Sequence, residues 1–153
     1  MLGVYANLNI TSRRLKRLYG DWEDRRRGRE FPSRADFSPD DLQYILGNVS
    51  LLDVAYDPLR FRYRIHGTNL SQRMGRDMTN KSIDEIPAPK HAQQVRDQLT
   101  GVIERRAPAA FSSLSEYPAV YVPRDVELLV LPLAADGTTI DMIMYAVVWG
   151  RES

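Results

Sequence analysis

Apolar and polar residues alternate along a stretch near the middle of the chain. In Arg60–His66, the residues Phe61, Tyr63 and Ile65 fill one set of positions, and basic residues fill most of the other. A period of two residues is typical of a strand with one buried face, so this stretch predicts a strand near the edge of a sheet. A second apolar run, Val49–Ala55, precedes it across an Asp-Pro turn and predicts its partner strand.

The last third of the chain is rich in strand signals. Ala109–Glu116 and Val120–Leu133 predict two strands, and Asp136-Gly137 predicts a hairpin turn before a third, Ile140–Trp149. In the third strand both alternating sets are apolar, which predicts a central position with cover on both faces. The two sets are Met142, Met144, Ala146 and Val148 on one face, and Ile143, Tyr145, Val147 and Trp149 on the other.

Two longer helices are predicted from apolar residues spaced three and four apart. Pro89–Arg106 carries a stripe that includes Val95 and Leu99, and it follows short glycine-punctuated turns that end near Ile86. Ser12–Arg27 carries one stripe on a charged cylinder. The stripe consists of Leu15, Leu18, Tyr19 and Trp22. If the middle helices cover one face of the sheet, this stripe should cover the other face or form a homodimer contact.

Composition narrows the chemistry. The 153 residues include no cysteine, which excludes disulfides, thiolate metal sites and cysteine nucleophiles. There is no 18-residue apolar run, so no membrane span is expected. The net charge is +1, yet residues 1–34 hold nine Lys/Arg against four Asp/Glu, with a cluster at Arg25–Arg29. Such a cluster is either the solvated end of a helix or a surface that contacts phosphate.

Several runs resemble the PAS_5 family of PAS domains. They are PSRADFSPDDL (Pro32–Leu42), LLDV (Leu51–Val54), DPLRFRYRIHGT (Asp57–Thr68), GRDMTNKSIDEI (Gly75–Ile86) and LLVLPLAADG (Leu128–Gly137). The resemblance implies an α+β fold, with a five-stranded antiparallel sheet in the order 2-1-5-4-3. It places helices on one face, and we expect the N-terminal helix on the other. We therefore divide the chain into an N-terminal extension (1–47) and a PAS domain (48–150).

A ligand pocket is the expected site. A mostly apolar wall with a few polar groups is typical of a small-molecule cavity, and the alternative for each residue is a filled core. The candidate ligand-binding residues are Tyr63, Ile65, Thr68, Ile83, Ile86, Val95, Leu99, Met142, Met144 and Tyr145. The sequence does not decide which face of the last strand lines the pocket. His91 is too close to the start of its helix for us to predict a haem ligand, and we predict no cofactor and no metal.

The resemblance implies a stand-alone bacterial sensor or adaptor in the cytoplasm. We expect it to bind a small molecule or a signalling partner, to form a homodimer through the first helix, and to be no enzyme. A nucleic-acid-associated protein that uses the basic N-terminal helix is the alternative, although no stacking platform accompanies the arginines. A small isomerase-like enzyme is the third interpretation, and it lacks an inward-facing carboxylate or histidine.

Overall fold

The computed structural model describes residues 9–114 and 125–150. The helices are α1 (Arg13–Arg26), α2 (Thr68–Met74) and α3 (Pro89–Arg105). The strands are β1 (Val49–Ala55), β2 (Arg60–Ile65), β3 (Ala109–Leu114), β4 (Asp125–Leu133) and β5 (Met142–Trp149). The predicted end of the third strand at Glu116 and the predicted start of the fourth at Val120 lie outside the described residues. No helix within these ranges is both long and apolar enough to cross a bilayer.

The five strands form one antiparallel sheet in the order β2-β1-β5-β4-β3. β5 lies in the middle, hydrogen-bonded to β1 on one side and to β4 on the other. Its residues from Ile143 to Val148 are all buried, because helices or turns cover both faces of the sheet here. The predicted fold class and the central position of the last strand are confirmed.

We call the face of the sheet that α3 covers the inner face, and the opposite face the outer face. The inner face is covered by α3: the hydroxyl of Tyr145 donates to Gln98 Oε1 at 2.6 Å. The outer face is covered in part by α1, whose Trp22 Nε1 donates to the Pro132 carbonyl at 2.8 Å. Since neighbouring residues of a strand point to opposite faces, Met144 belongs to the outer face.

α1 is fixed to its own sheet at its first turn. Ser12 is the N-cap and accepts from Leu15 N. The carboxylate of Glu127 on β4 accepts hydrogen bonds from Thr11 N at 2.9 Å and Ser12 N at 2.8 Å. These contacts hold the helix across β4, with its apolar stripe against the outer face.

The stripe predicted as a partner contact is already covered within the chain. Leu15, Leu18 and Trp22 are buried, while Tyr19 is half-buried and stacks against Trp22. A homodimer that uses the three buried side chains would first have to lift α1 from the sheet. The homodimer itself stays a prediction.

β2 contains one residue more than regular pairing allows. Leu51 pairs with Ile65 and Leu52 pairs with Tyr63, so Arg64 is the extra residue of a bulge. Leu51 and Leu52 point to opposite faces, and therefore so do Ile65 and Tyr63. The prediction that these two residues share one face was wrong: Tyr63 is buried on the inner face, and Ile65 lies on the outer face with 43% of its surface exposed.

The free edge of β2 is covered by a turn. Asn80 N donates to the Tyr63 carbonyl, and Tyr63 N donates to the Lys81 carbonyl. An uncovered edge strand would offer unpaired backbone groups to other chains, and this turn pairs both of those that belong to Tyr63. The same segment leads into the 3₁₀ turn Ile83–Glu85, which packs under α3.

Candidate functional site

A cavity of about 360 Å³ opens on the outer face, between the sheet and the chain that connects α1 to β1. We call it the outer cavity. Its floor is the sheet: Val49, Leu51, Ile65 and Met144. Its opposite wall comes from the chain between α1 and β1, through Phe37, Pro39, Leu42 and Leu46. A volume of this size is at the lower end of small-molecule sites, and an apolar wall is typical of them.

The wall opposite the sheet is built from residues 33–48, which we call the connecting segment. It folds into successive 3₁₀ turns instead of one helix. Two of them begin with a capping box: Ser33 with Asp36, and Ser38 with Asp41. Each box satisfies backbone N–H groups that a short turn would otherwise leave free. The caps fix the path of the connecting segment over the apolar side chains of the sheet.

Gly67 closes one end of the cavity by allowing two backbones to meet. A Cβ at this position would lie 2.5 Å from the carbonyl oxygen of Gly47 and 2.7 Å from that of Val49. The φ angle of Gly67 is −53°, so the glycine is required by this close approach and not by a left-handed conformation. The approach brings Thr68, the first residue of α2, to the rim of the outer cavity.

His66 is a buried hydrogen-bond acceptor at the end of β2. Its Nδ1 accepts from Met78 N at 3.0 Å and lies 3.0 Å from the Ser71 hydroxyl. Because a backbone N–H can only donate, Nδ1 carries no proton and the neutral ring holds its hydrogen on Nε2. Burial lowers the pKa of His66, and the nearby Asp77 opposes that shift. His66 therefore joins β2 to the turn after α2 as a neutral residue and lines part of the cavity.

The charge around the outer cavity is one-sided. Arg34 lies on its rim, and its guanidinium makes one long contact, 3.5 Å to the Phe37 carbonyl. No carboxylate belongs to the lining within residues 9–114 and 125–150. Across the same described residues, Arg34 forms no ion pair. The rim thus combines one cation with an apolar interior.

The inner face is a packed core with a small polar centre. Ile83, Val95 and Leu99 are at most 2% exposed. The Tyr145–Gln98 hydrogen bond lies among these apolar groups, and both residues are buried. On the neighbouring strand, the buried hydroxyl of Ser50 has no hydrogen-bond partner among the described residues.

The predicted ligand-binding residues divide between the two faces. The inner side holds Tyr63, Ile83, Ile86, Val95, Leu99 and Tyr145. The outer face or its rim holds Ile65, Thr68, Met142 and Met144, and all of these except Met142 line the outer cavity. A single pocket made from the whole set is therefore not what the chain forms. Ligand contact stays a prediction for every member.

Polar residues away from the outer cavity are paired within the chain or partly buried. The carboxylate of Glu85 accepts from Ser82 N at 3.0 Å, and Asp84 pairs with Arg96 at 2.6 Å. His91 is half-buried, and burial lowers its pKa to about 4. No group of three or more potential metal ligands occurs in the part of the chain that the structure describes.

The basic cluster at the end of α1 is paired within the chain. The carboxylate of Asp36 accepts a hydrogen bond from the Arg29 guanidinium at 2.6 Å and lies 3.6 Å from the guanidinium of Arg27. Arg25 donates to the Asp36 carbonyl at 2.8 Å and lies 3.5 Å from Asp41. These contacts neutralise part of the surface that the alternative, phosphate-binding interpretation would use, and they join α1 to the connecting segment.

The sequence matches the PAS_5 model, described as a PAS domain, over residues 10–147. The chain belongs to the PAS domain family. Domains of this family are typically sensory and non-enzymatic. The match covers both sides of the division at residues 47 and 48, and that division stays a prediction. No curated protein matches the chain.

Solved PAS-like structures share the fold at low sequence identity. A sensory box sensor histidine kinase from Vibrio cholerae has a TM-score of 0.50 and 20% identity, covering 68% of this chain and 83% of its own. VqmA from the same organism, in a complex with ligand and DNA, has a TM-score of 0.56 and 11% identity, covering 74% and 51%. This chain thus spans about half of VqmA. A light-oxygen-voltage domain studied with a flavin analogue gives 0.53 and 12%, covering 74% and 84%.

The sequence reasoning missed the connecting segment as part of a site. Phe37, Leu42 and Leu46 belong to three separate short turns or their caps, so no single helical or strand period relates all three. The available signal was the pair of Ser-x-x-Asp capping boxes, which mark the starts of ordered turns. The apolar residues between such caps need a buried partner, and here they find it on the outer face of the PAS domain.

Proposed function

We propose that this PAS domain is a sensor that binds a small molecule in the outer cavity and signals through the connecting segment and α1. One observation carries the proposal: the cavity has the sheet on one side and the connecting segment on the other. A molecule in it contacts both walls, so its binding free energy depends on how they are placed. A ligand shifts a conformational equilibrium by its difference in affinity for the two states.

The ion pairs at the end of α1 provide a route from the cavity to the helix. Asp36 and Asp41 belong to the connecting segment, and they bind Arg29 and Arg25 of the helix end and the turn after it. A displacement of the segment moves these carboxylates and changes their distances to the arginines. The exposed side of α1 would then present an altered surface to a signalling protein or to a second copy of the chain. In this proposal the protein acts in the cytoplasm and catalyses no reaction.

A fragment screen with a blocked variant tests this proposal. Ile65→Trp places a bulky indole ring at the cavity mouth, at a position exposed enough to tolerate it. Thermal shift should identify compounds that stabilise the wild type and not this variant. Hydrogen exchange should then show slower exchange in residues 33–48 and in α1 when such a compound is bound. Arg60→Gln, on the same strand and away from the cavity, is the control.

Two outcomes would contradict the proposal. One is a diverse screen that yields no stabilising compound for the wild type. The other is a set of compounds that bind the Ile65→Trp variant equally well and protect only α3 and the turns beneath it. The second outcome would place the ligand on the inner face.

A further inference from the structure

The lining of the outer cavity specifies a chemical class of ligand, if the proposed function holds. Its interior is formed by aliphatic, aromatic and thioether side chains, among them Phe37, Leu51 and Met144. Three polar groups lie at its rim: the guanidinium of Arg34, the hydroxyl of Thr68, and the hydroxyl of Ser38, which already accepts from Asp41 N. The described residues supply no ion-pair partner for the first and no hydrogen-bond partner for the second.

The polar and apolar parts of the lining select different parts of a ligand. An apolar interior favours a hydrocarbon body, since burial of its surface provides most of the affinity. Arginine presents paired N–H donors in a plane that matches a carboxylate. The other ionisable group of the lining, His66, is held neutral through its Nδ1 acceptor and competes little for an anion.

The cavity volume limits the length of the ligand. Liquid water occupies about 30 Å³ per molecule, so a space of 360 Å³ holds about twelve non-hydrogen atoms at comparable density. A carboxylate with a body of about ten carbons fits that number. Exposed apolar side chains at the mouth, Leu46 at 45% and Ile65 at 43%, would be covered by such a body.

We propose that the outer cavity binds an amphiphilic monocarboxylate of about ten carbons, with its carboxylate at Arg34 and its hydrocarbon body against Leu51, Ile65 and Met144. This ligand class rests on the proposed function. It is distinct from a general apolar occupant, because the charge at the rim discriminates between an acid and the matching neutral alcohol.

Isothermal titration calorimetry with straight-chain carboxylates from hexanoate to dodecanoate, and with the matching alcohols, tests the inference. Affinity should be highest near decanoate. Arg34 is exposed, so its pairing should contribute about a fivefold preference for decanoate over decanol. Arg34→Gln should remove that preference, so that decanoate and decanol bind the variant with similar affinity. Arg60→Gln, an equally exposed arginine outside the cavity, should retain the preference.

Each result decides a different point. An Arg34→Gln variant that keeps the full preference for decanoate overturns the assignment of the carboxylate. Decanoate that binds Ile65→Trp as it binds the wild type lies elsewhere, and the inference falls. If carboxylates fail while other compounds bind the wild type and not Ile65→Trp, the sensor proposal stands without this ligand class. If sedimentation shows a dimer that Ile65→Trp dissolves, a second copy occupies the cavity and the inference also falls.

Discussion

The packing of α1 on its own sheet can be tested by one truncation. Leu18 is fully buried, with 0% of its surface exposed, in the middle of the stripe that faces the outer face. Leu18→Ala removes the side-chain atoms beyond Cβ and leaves a void that the fixed helix cannot fill. Both ends of α1 are tied, by Glu127 at the start and by Asp36 near the end, so the helix cannot shift freely to close that void.

The expected loss of stability follows from measured large-to-small substitutions in cores. Leucine to alanine at a fully buried site costs about 2–5 kcal/mol in the free energy of unfolding, and more where the site cannot collapse. We take about 3 kcal/mol for Leu18. For a domain of this length, that corresponds to a fall in melting temperature of roughly 6–12 °C.

Urea unfolding at two protein concentrations provides the assay. The variant should lose about 3 kcal/mol at both concentrations, because the contact lies within one chain. Lys16→Ala, an exposed neighbour on the same helix, should stay within about 0.5 kcal/mol of the wild type. A loss under about 1 kcal/mol would refute the packing described here. So would a loss that grows with dilution, which is the behaviour of a subunit contact.

Three further substitutions test other contacts. Glu127→Gln weakens the anchor of α1 and should cost about 1 kcal/mol in urea unfolding, while Glu104→Gln, on the exposed side of α3, should cost nothing measurable. Tyr145→Phe should cost about 1–3 kcal/mol by leaving the buried Gln98 acceptor unpaired, and a Gln98→Leu, Tyr145→Phe double variant should recover part of that loss. Burial lowers the pKa of His66, so below about pH 6.5 the unfolded chain binds a proton more readily than the folded chain does. The stabilising contribution of the neutral ring is therefore present above that pH and is lost as the pH falls through the folded pKa. His66→Gln should reduce the loss of stability between about pH 7 and 5.

Much of the fold follows from residue spacing alone. Apolar residues on both faces of β5 require cover on both sides, which only a central strand of this sheet receives. The stripe from Leu15 to Trp22 requires one apolar surface, and β4 supplies it. The PAS resemblance added the strand order, which spacing cannot provide because alternation does not identify neighbours.

The site depended on features that spacing does not encode. A bulge at Arg64 reverses the face of every residue after it, so the alternation that joined Ile65 to Tyr63 failed at its last step. The two methionines of β5 were one of two alternatives, and register against Leu51 places them on the outer face. His66 ends the alternating stretch on the set of positions that the arginines fill, yet it is buried, because the turn at Met78 folds over it.

The central claim is that the ligand site lies on the outer face, between the sheet and the connecting segment. Isoleucine methyl NMR reports on both faces at once, because Ile65 lines the outer cavity while Ile83 and Ile143 are buried on the inner side. Titration with the tightest compound from the screen should shift the Ile65 methyl most and leave the other two nearly unchanged. Large shifts of the Ile83 and Ile143 methyl signals, with no shift of the Ile65 methyl signal, would contradict the account.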